Sequence, residues 1–289
     1  GGRETFSGGL GTAATRVFDY NVGRTGLSET QARAFGFDVW TALVPASDQL
    51  FELGCLNGAE QLAHEALEVY GTRPSLLRRL FLINMAKDRP AAAEVFLERL
   101  SRGLVLRRWA AATRCSLALD PTLAGDAQVA RARELYPPLD YPGYAFAPEE
   151  TLLQLLRHQP RNRMAFEYLL AHYLLTGQLD KVAAGLHRLD DFAEVYPRPV
   201  IPRHAEEALL IWSAQMGVPP GRIGQVVPPG RQLRPETVAA FARFSAALAA
   251  HAGDRAALRA ALGDGLRDTY WRYYAAAAPA AQASGGAGP

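Results

Sequence analysis

Between a glycine-rich first dozen residues and a last fourteen made almost wholly of Ala, Gly, Pro, Ser and Gln, the chain repeats one pattern. Apolar side chains recur at i, i+3, i+4 and i+7 over stretches of roughly 11–18 residues, the spacing that lines one face of an α-helix. Strand-like alternation is confined to Phe18–Val22 and Gln225–Val227. A period near 3.6 residues cannot hold its apolar side on one face of a sheet, so the chain is expected to be all-α. Prolines and small polar residues set the boundaries. Pro45-Ala-Ser-Asp starts a helix over Gln49–Leu56, Pro74-Ser one that runs to Ala86, and Pro90 opens Ala91–Leu100. Gly177 divides Met164–Thr176 from Gln178–Leu189, Pro202 precedes Arg203–Gln215, and Pro235-Glu-Thr opens Val238–His251. Asp254 caps a final helix that reaches Tyr274. Residues 1–14 read as flexible, 276–289 as disordered, and 15–275 as one helical domain with an internal boundary near 137–148.

The helices come in pairs with very short joints. Gly54-Cys-Leu-Asn-Gly-Ala59, then Ala63 and Leu67, falls in register with Lys87-Asp-Arg-Pro-Ala-Ala92, then Phe96 and Leu100, at a displacement of 33 positions. A third pair is Trp109–Leu119 with Asp126–Leu135. The fourth, Met164–Val182, sets Phe166, Leu169, Leu170 and Tyr173 on its first helix, Gly177 at the turn, and Val182 and Leu186 on its second. These residues resemble tetratricopeptide units, whose period is about 34 residues. The resemblance implies a degenerate α-solenoid of antiparallel helix pairs. One pair cannot bury its own apolar face, so neighbours must stack. Small residues such as Ala59 and Ala92 let helices approach, and Phe96 and Phe166 fill the space between pairs. The register is broken between Ala92 and Val182, and an irregular helix bundle is the alternative.

Composition narrows the functional classes. Of 289 residues, 49% are hydrophobic and 21% charged, which fits a globular protein and excludes a collagen-like chain or a disulfide scaffold. No apolar run approaches the roughly 20 residues of a membrane span. A net charge of +2, from 31 basic and 29 acidic residues, gives no reason to expect nucleic acid as a partner. Cys55 and Cys115 lack CxxC spacing and read as small buried apolar residues; spacing leaves their pairing open.

Three runs are similar to a bacterial membrane-anchored family of unknown function: Asn162-Arg-Met-Ala-Phe-Glu-Tyr-Leu-Leu-Ala-His-Tyr-Leu-Leu-Thr-Gly-Gln-Leu-Asp-Lys181, Ile201-Pro-Arg-His-Ala-Glu-Glu-Ala-Leu209 and Asp268-Thr-Tyr-Trp-Arg-Tyr-Tyr274. That resemblance implies an extracytoplasmic or periplasmic helical region with a membrane anchor upstream of Gly1; a cytoplasmic chain is the alternative. It implies a location and no chemistry.

Motifs that carry chemistry are weak. Gly9-Leu-Gly11-Thr-Ala-Ala14 fits the GxGxxA form of a dinucleotide-binding turn, but only eight residues precede it where a buried strand is required. No Gly-Lys pair exists, which excludes a P-loop. Glu60, His64 and Glu68 share a helix face at metal-ligand spacing, with no further histidine or cysteine to complete a set. Glu149-Glu150, Asp190-Asp191 and Glu206-Glu207 are adjacent carboxylates; neighbours on a helix point about 100° apart, so they read as solvated surface and not as an acid–base pair. No GxSxG elbow is present. No catalytic residue, metal or cofactor is therefore expected.

What remains is polar and aromatic. Arg161, Asn162, Arg163, Glu167 and Tyr168 crowd the start of the fourth pair, Arg198, Arg203, His204, Glu206 and Glu207 surround the next helix start, and Tyr270, Trp271, Tyr273 and Tyr274 close the chain beside Asp268 and Arg272. From these, Arg161, Asn162, Glu167, Tyr168, Arg203, His204, Glu206 and Trp271 are the expected ligand contacts, on the face that successive first helices present to a protein or peptide. The competing expectation is structural: Arg–Glu pairs that lock helices together and aromatics that cap the stack. Tyr136–Pro148, with four aromatic residues, is either a lid over that face or packing. The expected function is a non-enzymatic protein- or peptide-binding module. A carbohydrate-active or carbohydrate-binding helical protein, or a carrier of an apolar ligand, is the alternative.

Overall fold

The computed structural model describes residues 13–17, 20–24, 46–137, 148–218, 222, 227–251, 254–262, 266 and 269–277. Gly9–Thr12, most of both termini, most of the Tyr136–Pro148 loop with its expected boundary, Gln225, Val226 and Asp268 lie outside these residues. The fold is all-α, as the periodicity requires, with one two-stranded hairpin among the described residues. The chain groups into two compact units, Ala42–Leu169, and Gly1–Thr41 together with Leu170–Pro289.

In the unit Ala42–Leu169 the helices are α1 (Ala46–Leu53), α2 (Leu56–Tyr70), α3 (Pro74–Ala86), α4 (Pro90–Arg102), α5 (Arg107–Leu119), α6 (Ala127–Leu135) and α7 (Pro148–His158), followed by the first part of α8 (Arg163–Thr176). Each of α1 to α4 packs on its successor, while α6 returns onto both α1 and α3. The centre is α3. Leu76, Leu77, Leu80, Phe81, Leu82, Ile83 and Met85 are all buried, because its sequence is apolar on nearly every side and no single face has to meet water. Two of its polar side chains are engaged, although the buried Arg79 Nη1 has no hydrogen-bond partner among the described residues. Arg79 donates to Asp48 at 2.5 Å and lies 4.1 Å from the Phe51 ring centre, and Asn84 donates to the Leu80 carbonyl at 2.8 Å.

Two positions show how closely the elements approach. Gly54 has φ +96°, and a Cβ there would stand 2.8 Å from Leu135 at the end of α6. The small contact residue of α4 is Ala93 and not Ala92, which is exposed; Ala59 to Ala93 and Ala63 to Leu97 are buried pairs 34 residues apart, one more than the spacing expected from sequence. The helix expected over Gln49–Leu56 is instead Ala46–Leu53, whereas the one expected from Pro74 to Ala86 keeps its bounds. The Asp126 side chain accepts from Gln128 and Val129 at 2.9 and 3.0 Å, capping α6. Neither cysteine is in a disulfide; Cys55 is buried, as expected, whereas Cys115 is exposed. On α5 only Ala110 and Thr113 are buried, and Cys115 lies on the opposite side of that helix.

In the second unit, Ala13–Val17 (β1) pairs antiparallel with Tyr20–Arg24 (β2), from Ala13 opposite Arg24 to Val17 opposite Tyr20. The strand candidate Phe18–Val22 thus begins two residues early, and Ala13 and Ala14, read as flexible, are in a strand. The helical part holds the end of α8, then α9 (Leu179–Gly185), a 3₁₀ turn (Leu186–Phe192), α10 (Arg203–Gln215), α11 (Pro235–Ala250), α12 (Arg255–Ala261) and α13 (Tyr270–Ala277). Here α10 is central and packs against α9, α11 and α13. The single final helix expected over residues 254–274 is two. The sequence between them contains Gly263 and Gly265, residues of low helix propensity. Arg231, whose side chain is fully buried, ties the loops together by donating to Asp190 at 2.8 Å and to the carbonyls of Tyr196 and Val200. No helix among the described residues is long and apolar enough to cross a membrane.

Candidate functional site

The site grows out of the first two turns of α10. Arg203-His-Ala-Glu-Glu-Ala-Leu-Leu-Ile buries its alanines and leucines, as a central helix must, but it buries Glu206 and Glu207 as well, at 0% and 1% exposure. The reading of this pair as solvated surface is overturned. Buried carboxylates persist only when their oxygens are taken, and here each is taken by the start of a different helix.

Glu206 accepts from the Arg234 backbone N–H, from Arg234 Nε at 2.7 Å and from the Thr237 hydroxyl at 3.1 Å. Arg234 stands at the N-cap of α11 with no side-chain cap of its own, so Glu206 supplies from α10 what that helix start lacks. Glu207 Oε2 accepts from the Tyr270 backbone N–H at 2.6 Å, at the start of α13, and lies 3.1 Å from His204 Nδ1, while Oε1 accepts from Arg203 Nε at 3.0 Å. The Glu207 carbonyl accepts from Trp271 Nε1 at 2.9 Å. Two adjacent residues thus dock two later helices on one another's neighbouring faces, each by placing negative charge at a positive helix end.

Behind this junction is an aromatic core. Trp271 is fully buried, stacked on Phe244 with ring centres 5.7 Å apart and an 18° tilt, and flanked by Phe241. The hydroxyls of Tyr270 and Tyr273 donate to the Leu174 and Leu175 carbonyls at 2.7 and 2.9 Å, satisfying acceptors in the last turn of α8. Burial pushes both phenols upward, Tyr273 to about 12, so both stay neutral donors.

Over the junction lies a pocket of about 260 Å³. Arg203, Arg234 and Glu236 stand around it, Glu207, Thr237 and Thr269 supply buried polar groups, and Ala240, Leu266 and Trp271 supply apolar wall. The Arg203 and Arg234 side chains are 49% and 41% exposed. Each guanidinium is already neutralised by a buried glutamate, and Glu236 adds a further negative charge. Two carboxylates line this space, Glu207, held by Arg203 and the Tyr270 backbone N–H, and Glu236.

Of the eight expected contacts, four meet here: Arg203 and Trp271 line the pocket, and His204 and Glu206 adjoin it. The other four belong to the unit Ala42–Leu169. Asn162 is buried with both polar atoms used, Nδ2 donating to the Leu53 carbonyl at 2.9 Å and Oδ1 accepting from Ala165 at 3.1 Å, so it caps α8 and anchors it to the end of α1. Glu167 pairs with Arg163 one turn away at 3.1 Å, Arg161 is exposed and Tyr168 half-buried. On α2, Glu60 is engaged by Lys87 at 2.5 Å and by Arg89, so it does not face His64 as a free ligand. Among the described residues no cluster of three or more His, Cys, Asp or Glu could hold a metal. The competing structural expectation, Arg–Glu pairs locking helices together and terminal aromatics packing, is what this junction shows; the burial of both glutamates and the distant helix starts they meet were not read from the sequence. The signal that existed was the start of α11, where Arg234-Pro235 offers no capping side chain and a cap has to come from elsewhere.

Comparison with known proteins adds a family and little else. A curated relative, the NAD(P)H sulfur oxidoreductase (CoA-dependent) of Pyrococcus abyssi (strain GE5 / Orsay), is 48% identical over 42 residues, which is 14% of this chain and 9% of that protein. The chain therefore spans about a tenth of that relative's length at most. No solved structure matches. A family model matches residues 9–277, nearly the whole chain, and the protein belongs to that family, the family of unknown function DUF6057.

Proposed function

We propose that the chain is a non-enzymatic module that binds an extended segment of a protein partner at the pocket over the α10–α11–α13 junction. The observation that carries this reading is the pairing of two half-exposed, charge-balanced guanidiniums, Arg203 and Arg234, around a cavity of about 260 Å³. Pockets for cofactors or metabolites usually measure about 300–1,000 Å³. This one suits a single side chain or a short stretch of backbone. The charge balance selects the chemistry. With Glu206 and Glu207 neutralising both arginines and Glu236 at the wall, an acidic side chain gains little. Arg203 spends only its Nε on Glu207, which leaves its amino groups as donors for peptide carbonyls. The resemblance of three sequence runs to a membrane-anchored family supports placing the module on the extracytoplasmic side of a longer membrane-associated protein.

The test is a peptide-display selection on the purified chain, repeated with Arg203→Ala and with Ala240→Trp, which puts a large side chain into the pocket and leaves every glutamate in the sequence. Peptides enriched on the natural chain should be lost from both variants, while each variant unfolds in urea close to the natural midpoint. Enriched peptides that bind both variants unchanged, or turnover of a small molecule blocked by Ala240→Trp, would overturn the reading.

A further inference from the structure

The end of α4 and the start of α5 carry a pattern that the pocket does not use. Residues 99–108 read Arg-Leu-Ser-Arg-Gly-Leu-Val-Leu-Arg-Arg, with four arginines and no carboxylate. Leu100 is buried and Leu106 half-buried, so the loop is fastened by its two ends. Its tip points the other way: Leu104 is 90% exposed and Val105 77%. A lone exposed leucine is ordinary, whereas two adjacent ones held at the tip of an anchored loop and ringed by arginine form a specific surface. Arg102 pairs with Glu98, but among the described residues no carboxylate pairs with Arg99, Arg107 or Arg108. The α2–α3 turn lies beside this loop, since a hollow of about 150 Å³ has Thr72, Pro74 and Leu77 on one side and Leu100, Gly103 and Leu106 on the other. That turn brings Tyr70, 63% exposed, and Arg73, whose guanidinium lies 5.6 Å from the Tyr70 ring centre, to the same end.

We propose that this end of the unit Ala42–Leu169 docks on an anionic lipid surface. Leu104 and Val105 enter the boundary between headgroups and acyl chains, Arg99, Arg102, Arg107 and Arg108 sit at phosphate level, and Tyr70 takes the amphipathic position that tyrosine favours at such interfaces. Charge and size choose this occupant. A second copy would bring two uncompensated arginine clusters together across a twofold axis. A protein partner needs about 800 Å² per side, more than a two-residue tip offers, whereas a bilayer accepts a tip and adds its own negative charge. This proposal is independent of the peptide pocket, which lies in the other unit.

The test is co-sedimentation of the purified chain with vesicles of phosphatidylcholine alone and of phosphatidylcholine mixed with phosphatidylglycerol, at low and high salt. The natural chain should pellet with the mixed vesicles only and be released by salt. Arg107→Gln with Arg108→Gln should weaken binding by roughly fivefold for each arginine, and Leu104→Ser with Val105→Ser by roughly tenfold or more. All four positions are exposed, so both variants should keep the natural urea midpoint. Equal binding to neutral vesicles, no binding to either, or unchanged binding by both variants would overturn the proposal. So would a dimer of the natural chain, in the absence of vesicles, that Leu104→Ser with Val105→Ser converts to a monomer.

Discussion

Replacing Glu207 by alanine should destabilise its unit by about 1–3.5 kcal/mol, and most of that loss should trace to one backbone N–H. The Glu207 side chain is 2% exposed, and its bond from Tyr270 N is 2.6 Å long. A hydrogen bond to a buried charged acceptor contributes about 1.5–3 kcal/mol. The ion pair with Arg203 adds less than about 1 kcal/mol, because that guanidinium is half in water and keeps its solvation when the partner goes. Alanine returns about 0.4 kcal/mol through its better helix propensity. Two companions separate these contributions. Glu207→Gln keeps an acceptor for Tyr270 and should cost about 1–2 kcal/mol, whereas Arg203→Ala should cost under about 1 kcal/mol. Urea denaturation followed by far-UV circular dichroism and by tryptophan fluorescence reads all three, Trp271 lying one residue beyond the bond in question. If Arg203→Ala costs as much as Glu207→Ala, or if Glu207→Ala stays within about 1 kcal/mol of the natural chain, the carboxylate is not what holds α13 on α10.

Two further perturbations test the packing. The bonds from Arg198, and then from Arg231, hold the Asp190 carboxyl down to about 2, from an ordinary 3.8. A depressed carboxyl stabilises the fold above its unfolded value and loses that contribution as pH falls toward its folded one. The gap in melting temperature between the natural chain and Asp190→Asn should therefore be constant near neutrality and shrink between about pH 4 and pH 2; a gap that widens on acidification would contradict the pairing. Gly54→Ala should cost clearly more than Gly177→Ala. Both have positive φ, worth about 1–2 kcal/mol to a non-glycine residue, but only at Gly54 would the new Cβ meet Leu135, at 2.8 Å, while Gly177 faces open space. Equal losses in urea melts would mean that α6 yields to the added methyl group.

Much of the helix layout was legible in the sequence because it depends on local rules. Pro74, Pro90 and Pro202 mark helix starts, Asp126 caps α6, Gly177 turns the chain at φ +68°, and α10 runs over the same residues, Arg203–Gln215, that the apolar period marks. Errors arose where the deciding partner is distant in the chain. Ala92 and Ala93 carry identical side chains, and only the neighbouring helix selects Ala93 as the contact. The final helix divides where Gly263 and Gly265 stand, and α12 and α13 pack on different partners as well as on each other.

The candidate site divides in the same way. Arginine, glutamate and tryptophan at positions 203, 206, 207 and 271 could be picked out as residues that fit no simple amphipathic pattern, so the sequence determined which side chains were available for the junction. Their roles it left open, since two consecutive glutamates on an isolated helix diverge by about 100° and both have access to water. Burial came from α11 and α13, which bring unfilled backbone N–H groups from 28 and 63 residues away onto Glu206 and Glu207. A helical period records which face of a segment is apolar, but the position of a distant helix start is a property of the packed chain alone.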